Sequence, residues 1–193
     1  MRTASSAHRG VAVRAMLGGI AAVGLVAGCS TSVDGEPAAQ GASEATGEKT
    51  VEWNPCTELS DEALTAIGVD PASKATVTDA PAGPVTWRMC QWIAAGQPYN
   101  VTVGSSVNTL EESRENPTVT GFEQTQIGPR TGLTFHDRND PDQLRCYASL
   151  PAEQGMFTVI VSWFYSERDS IPQSPPCDLA IQHASQLEPY LPK

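Results

Sequence analysis

Five cysteines hold most of the reactive chemistry in this 193-residue chain: Cys29, Cys56, Cys90, Cys146 and Cys177. A thiol can be acylated, oxidised to a disulfide or bound to a soft metal, and its surroundings decide which. No two of them stand at C-x-x-C spacing, and His8, His136 and His183 do not fall at ligand spacing to them. Neither a redox motif nor a zinc knuckle is legible, so no metal is expected at these cysteines. Five is also an odd number, which leaves one cysteine with a task of its own.

Cys29 is that cysteine. Arg2, Arg9 and Arg14 form a positive leader, and Ala15 to Ala27 (AMLGGIAAVGLVA) form a short apolar stretch. A lasting membrane span needs about 20 apolar residues, so this segment reads as an export signal. Its end, Val26-Ala27-Gly28-Cys29, resembles the lipobox of bacterial lipoproteins, in which the thiol receives diacylglycerol before cleavage. Residues 1–28 are therefore expected to be a lipoprotein signal peptide, with Cys29 as the lipidation site. Two or more acyl chains anchor stably where one does not, at about 0.8 kcal/mol per buried CH₂.

Residues 29–50 read as the lipidated cysteine followed by a tether. Val33 is the only large apolar side chain between Ser30 and Thr50, among Gly, Ala, Ser, Thr and Glu, so this stretch cannot build a core. As a coil it reaches roughly 25 Å. Removal of residues 1–28 takes the formal charge from −10 to −13, with 22 acidic residues against 9 basic. Such a balance repels phosphate backbones and excludes nucleic acid as a partner. It also favours a domain held off an anionic membrane surface.

The even set Cys56, Cys90, Cys146 and Cys177 suits two disulfides in an oxidising compartment. Four cysteines allow three pairings, and local logic favours Cys56–Cys90 with Cys146–Cys177. The first pair staples an N-terminal helical segment to an early strand. In the second, Cys146 shares a strand face with Leu144, Ala148 and Leu150, and Cys177 lies on the apolar stripe Ala180, Ala184, Leu187 and Leu191 of a final helix.

Other polar clusters read as structural. His136-Asp137-Arg138-Asn139-Asp140-Pro141-Asp142 lacks the glycine and terminal glutamate of a calcium loop and suits a hairpin turn capped by its own Asx side chains. Gly104-Ser105-Ser106 is no nucleophile elbow. Arg130, in Gly128-Pro129-Arg130-Thr131-Gly132, suits a surface ion pair better than a ligand contact. Asn100-Val101-Thr102 is a sequon with no general use in a bacterial lipoprotein. Trp87, Trp92, Trp163, Tyr147 and Tyr165 suit core packing on strands before they suit a pocket. No catalytic residue is assigned, no cofactor is implied, and the chain is not expected to be an enzyme.

The elements that must position these residues alternate in blocks. Ser60 caps a helix over about 60–67, with Leu59 and Leu64 as a hydrophobic staple and Gly68 as the stop. Residues 70–84 read as a loop. Strands follow at Val85 to Ala94 and Tyr99 to Val107, then a brief helix opened by the capping box Thr109-x-x-Glu112 and ended before Pro117. Four more strands are expected at Gly121 to Ile127, Leu133 to His136, Leu144 to Leu150 and Phe157 to Phe164. Ser174 and Pro175 read as N-cap and first residue of a closing helix over about 176–188. The order predicts an α+β domain over residues 51–193: one antiparallel sheet of about five to six strands with N- and C-terminal helices packed on it.

Asn54-Pro55-Cys56-Thr57-x-Leu59-Ser60-x-Glu62-x-Leu64, Cys90-Gln91-Trp92 and a cysteine entering a last helix that ends in Leu191-Pro192 together resemble the actinobacterial lipoproteins grouped as domain of unknown function 3558. The likeness covers nearly all of residues 51–193. It implies an envelope lipoprotein on the outer face of the cytoplasmic membrane and carries no catalytic residue with it. The expected function is a membrane-tethered module that binds an envelope lipid, glycan or protein. The alternatives are an assembly partner of another envelope protein and a hydrolase with a dispersed site.

Overall fold

The computed structural model describes residues 49–82, 84–173 and 175–193. The signal segment, Cys29 and the tether up to residue 48 lie outside the described residues.

Residues 49–193 fold around one seven-stranded antiparallel sheet. In chain order come α1 (Pro55–Glu58), α2 (Asp61–Ala66), β1 (Ala75–Asp79), β2 (Trp87–Ile93), β3 (Tyr99–Ser106), α3 (Leu110–Glu115), β4 (Val119–Ile127), β5 (Arg130–Asp137), β6 (Arg145–Ala152), β7 (Gly155–Trp163) and α4 (Pro176–Leu187). The spatial order is β1-β2-β3-β7-β6-β5-β4. Two meanders thus meet where β3 pairs with β7.

Seven strands replace the five to six expected, because residues 70–84 contain β1. That strand is a sheet edge of five residues, four of them exposed, and its register slips between Thr76 and Thr78. With neither face buried, it leaves no alternation to read.

Local chemistry sets the helix boundaries. The Asn54 side chain accepts from Cys56 N at 2.9 Å, with Pro55 in the first helical position of α1. The Ser60 hydroxyl accepts from Ala63 N at 3.2 Å to cap α2, and Gly68, at φ 77°, turns the chain out of it. The Thr109 hydroxyl accepts from Glu112 N while the Glu112 carboxylate accepts from Thr109 N at 2.6 Å, closing the capping box of α3. Those bonds hold the Glu112 carboxyl below its ordinary pKa. The closing helix starts at residue 176 as expected, but its cap is shifted by one: Pro175 occupies the cap position without a side-chain bond, and Pro176 takes the first turn. Proline costs nothing there, since that N–H has no intrahelical acceptor.

The core lies between one sheet face and the helices. Cys90, Val103, Val159 and Ala148 form one row across β2, β3, β7 and β6, and Trp92, Val101, Val161 and Cys146 form the next. All eight are at most 1 % exposed. Each large apolar member contributes about 1.5–3 kcal/mol of gross burial energy. Ala180, Ala184 and Leu187 of α4 close over these rows. The disulfides Cys56–Cys90 and Cys146–Cys177 fasten α1 to β2 and the start of α4 to β6.

Candidate functional site

A strand shows its two faces alternately, so burial of Cys90, Trp92, Cys146 and Val161 sends their neighbours to the other face. There Trp87, Met89 and Gln91 of β2, Thr102 of β3, Thr158, Ile160 and Ser162 of β7, and Arg145 and Tyr147 of β6 meet. One end of this face is covered: Leu110 of α3 and Phe122 pack with Val119, Leu133, Phe135 and Tyr147 into a second apolar cluster. Phe135 and Tyr147 stack at 4.9 Å, and the Ser113 hydroxyl of α3 donates to Met156 Sδ at 3.3 Å.

The rest of the face is open and hollowed. A cavity of about 280 Å³ is walled by Val77, Trp87, Met89, Ile160, Tyr147 and Arg145, with Gln91, Thr102, Thr158 and Ser162 as neutral polar groups. It shares Trp87 and Met89 with a hollow of about 330 Å³ walled by Ala80, Pro84 and Val85. It shares Arg145 and Ser162 with a third of about 290 Å³, which runs round the strand ends to Asp137, Asp140 and Tyr165. The floor is kept low by Gly104, where a Cβ would stand 3.1 Å from both Met89 Cγ and Thr158 Cγ2.

The aromatics considered at the sequence level divide between the two faces. Trp92 and Trp163 are core residues, 1 % and 8 % exposed, and their Nε1–H groups find no acceptor among the described residues. Trp87 and Tyr147 line the open face. Tyr165 is 64 % exposed beneath the Arg168 guanidinium.

Arg130 is structural. Its Nε donates to buried Glu188 at 3.0 Å, and its two Nη atoms donate to the carbonyls of Pro151 and Pro192 at 3.0 and 2.8 Å. Ser105 donates to Trp53 O and Ser106 to Thr86 O, so neither hydroxyl is poised as a nucleophile. Within the His136–Asp142 run, the Asp137 side chain accepts from Asn139 N at 2.8 Å and that of Asp140 from Arg145 N at 2.8 Å, forming a self-capped hairpin loop.

Two histidines hold positions that sequence spacing hides, because their partners are distant in the chain. His183 is buried between sheet and helices. Its Nδ1–H donates to Ile67 O at 2.7 Å, which leaves Nε2 to accept from Tyr99 Oη at 3.1 Å. Burial holds the His183 pKa below its ordinary value and raises that of Tyr99. His136 donates from Nδ1 to Arg145 O at 2.9 Å and turns Nε2 toward Cys177 Sγ at 3.4 Å. With Cys146 it forms a cluster whose ligand atoms lie within 4.8 Å of one another. The two sulfurs are spent on each other as a disulfide, so the cluster offers a metal one imidazole and no thiolate.

No helix among the described residues is long and apolar enough to cross a membrane. Neither the curated proteins nor the solved structures yield a match to the chain. A family model described as Protein of unknown function (DUF3558) matches residues 24–190, and the chain belongs to that family.

Proposed function

We propose that this is a lipid-anchored envelope protein whose folded domain binds a ligand on the open face of its sheet. The observation that carries the reading is the run of adjoining hollows on that face, with an aromatic and aliphatic wall and a few convergent polar groups, the usual composition of a ligand site. Support for the anchor comes from the sequence: the family match begins at residue 24 and takes in Val26-Ala27-Gly28-Cys29.

The two halves of the reading separate experimentally. Cys29→Ala is expected to move the protein from the membrane fraction to the soluble fraction, and retention of an acylated membrane form rejects the anchor. A thermal-shift screen against lipids, cell-wall fragments and small amphiphiles is expected to yield hits that Trp87→Ala weakens. Hits indifferent to Trp87→Ala and Ile160→Asp place the ligand elsewhere and reject the face.

A further inference from the structure

The described arginines differ in how their charge is used. Arg88 pairs with Asp79, Arg130 with Glu188, Arg114 lies over the Phe122 ring, Arg138 donates to two main-chain carbonyls, and Arg168 covers Tyr165. The Arg145 main-chain N–H donates to Asp140 at 2.8 Å, whereas its guanidinium donates only through Nε, to Ser162 Oγ at 3.1 Å. Its two Nη groups have no partner among the described residues. The central cavity that it lines contains no carboxylate, in a chain with 22 acidic residues.

Across the shared rim the sign reverses. Asp137 and Asp140 line the next hollow together with Arg145, yet neither forms an ion pair within 4.0 Å with any described cation. Each carboxylate accepts one main-chain N–H and keeps an oxygen free. Opposite charges thus face one hollow without touching. At the other end, Trp87, Met89, Pro84 and Val85 give an apolar wall. From β2 to β6 the face crosses three strand spacings, roughly 14 Å at about 4.8 Å each.

We propose that this face takes a single-chain zwitterionic amphiphile. Its apolar chain lies over Trp87, Met89 and Ile160, its anionic group meets Arg145, and its cationic group meets Asp137 and Asp140. The assignment rests on the reading of the open face as a ligand site and adds the chemical class. A planar guanidinium with free Nη donors suits a phosphate or carboxylate, and paired carboxylates beyond it suit an ammonium.

The test titrates the full chain bearing Cys29→Ser with four ten-carbon probes below their micelle concentrations: decylphosphocholine, decyl phosphate, decyltrimethylammonium and decyl maltoside. Phosphocholine without a chain is the fifth arm. Binding is read by NMR at the Trp87 indole and Arg145 Nε–H. Decylphosphocholine is expected to bind at least about tenfold more tightly than decyl maltoside, a gap of about 1.4 kcal/mol. Arg145→Gln is expected to erase its advantage over decyltrimethylammonium, and Asp137→Asn with Asp140→Asn its advantage over decyl phosphate.

Equal binding of decyl maltoside overturns the head-group assignment and leaves the ligand face standing. Decyl phosphate matching decylphosphocholine, with no response to the aspartate changes, overturns the cationic half. Phosphocholine alone binding as tightly overturns the amphiphile. Binding that leaves Trp87 unperturbed and survives both Ile160→Asp and Trp87→Ala overturns the ligand face itself, and absence of binding by all five probes overturns both.

Discussion

Tyr99 donates its phenol proton to Nε2 of His183 at 3.1 Å, joining β3 to α4 inside the core. The direction is fixed at the far side of the ring, where Nδ1–H is committed to the Ile67 carbonyl beside α2. Three elements are therefore held by one neutral imidazole. Tyr99→Phe leaves Nε2 buried and unpaired, at an expected cost of about 1–3 kcal/mol. A lower urea midpoint at unchanged m-value is the expected readout.

The same imidazole sets an acid limit. Its folded pKa lies below the ordinary value of 6.5, so the unfolded chain binds the proton first. Stability from keeping it neutral is complete above about pH 6.5 and declines as pH falls toward the depressed folded value. Denaturant midpoints measured from pH 7.5 to 5 are expected to fall, and the slope is expected to flatten in His183→Gln.

Glu188 is 5 % exposed and has Arg130 as its close cation at 3.0 Å, with the exposed Lys193 ammonium farther off at 4.0 Å. Arg130→Met strands a buried carboxylate and two main-chain carbonyls, with an expected loss of about 3–5 kcal/mol. Arg130→Met combined with Glu188→Leu is expected to recover part of that loss in thermal unfolding, because the penalty comes mostly from a buried carboxylate left with only the distant, exposed Lys193.

Opening the Cys146–Cys177 bridge frees a loop of 31 residues. Cys146→Ala with Cys177→Ala is expected to cost about 3–4 kcal/mol, taking the chain-entropy model. Peptide mapping without reduction is expected to recover Cys56 linked to Cys90 and Cys146 linked to Cys177.

Gly155 turns the β6–β7 hairpin at φ 129°, where a Cβ would stand 2.0 Å from Ser106 O. Gly155→Ala is expected to lower the melting temperature sharply. Gly104→Ala is milder, since its contacts at 3.1 Å, Met89 Cγ and Thr158 Cγ2, are with side chains and not backbone. Its expected effect is a shallower cavity and weaker ligand binding with a smaller loss of stability than Gly155→Ala.

Most elements were legible because their signals are local. Ser60, Thr109 and Glu112 make their capping bonds within one helical turn, and β7 is a run of apolar and β-branched residues buried on both faces over most of its length. β1 escaped because an exposed edge strand has no buried face to impose a period. The site was less legible, since it depends on which of several aromatics share a face. Parity offers a partial key: Trp92 stands two residues from Cys90 and shares its face, whereas Trp87 stands three away and Tyr147 one from Cys146, so both point opposite. The contacts of Tyr99 with His183 and of His136 with Cys177 span 84 and 41 residues, beyond any local pattern.

Both disulfides and the α4 stripe fasten the helical layer to the same side of the sheet. The covalent fastening is thereby confined to that side, while α3 and the second apolar cluster cover one end of the other. Trp87, Met89, Gln91 and Arg145 stand across the sheet from both disulfides. The domain is thus a frame fastened from one side, whose opposite surface carries the adjoining hollows.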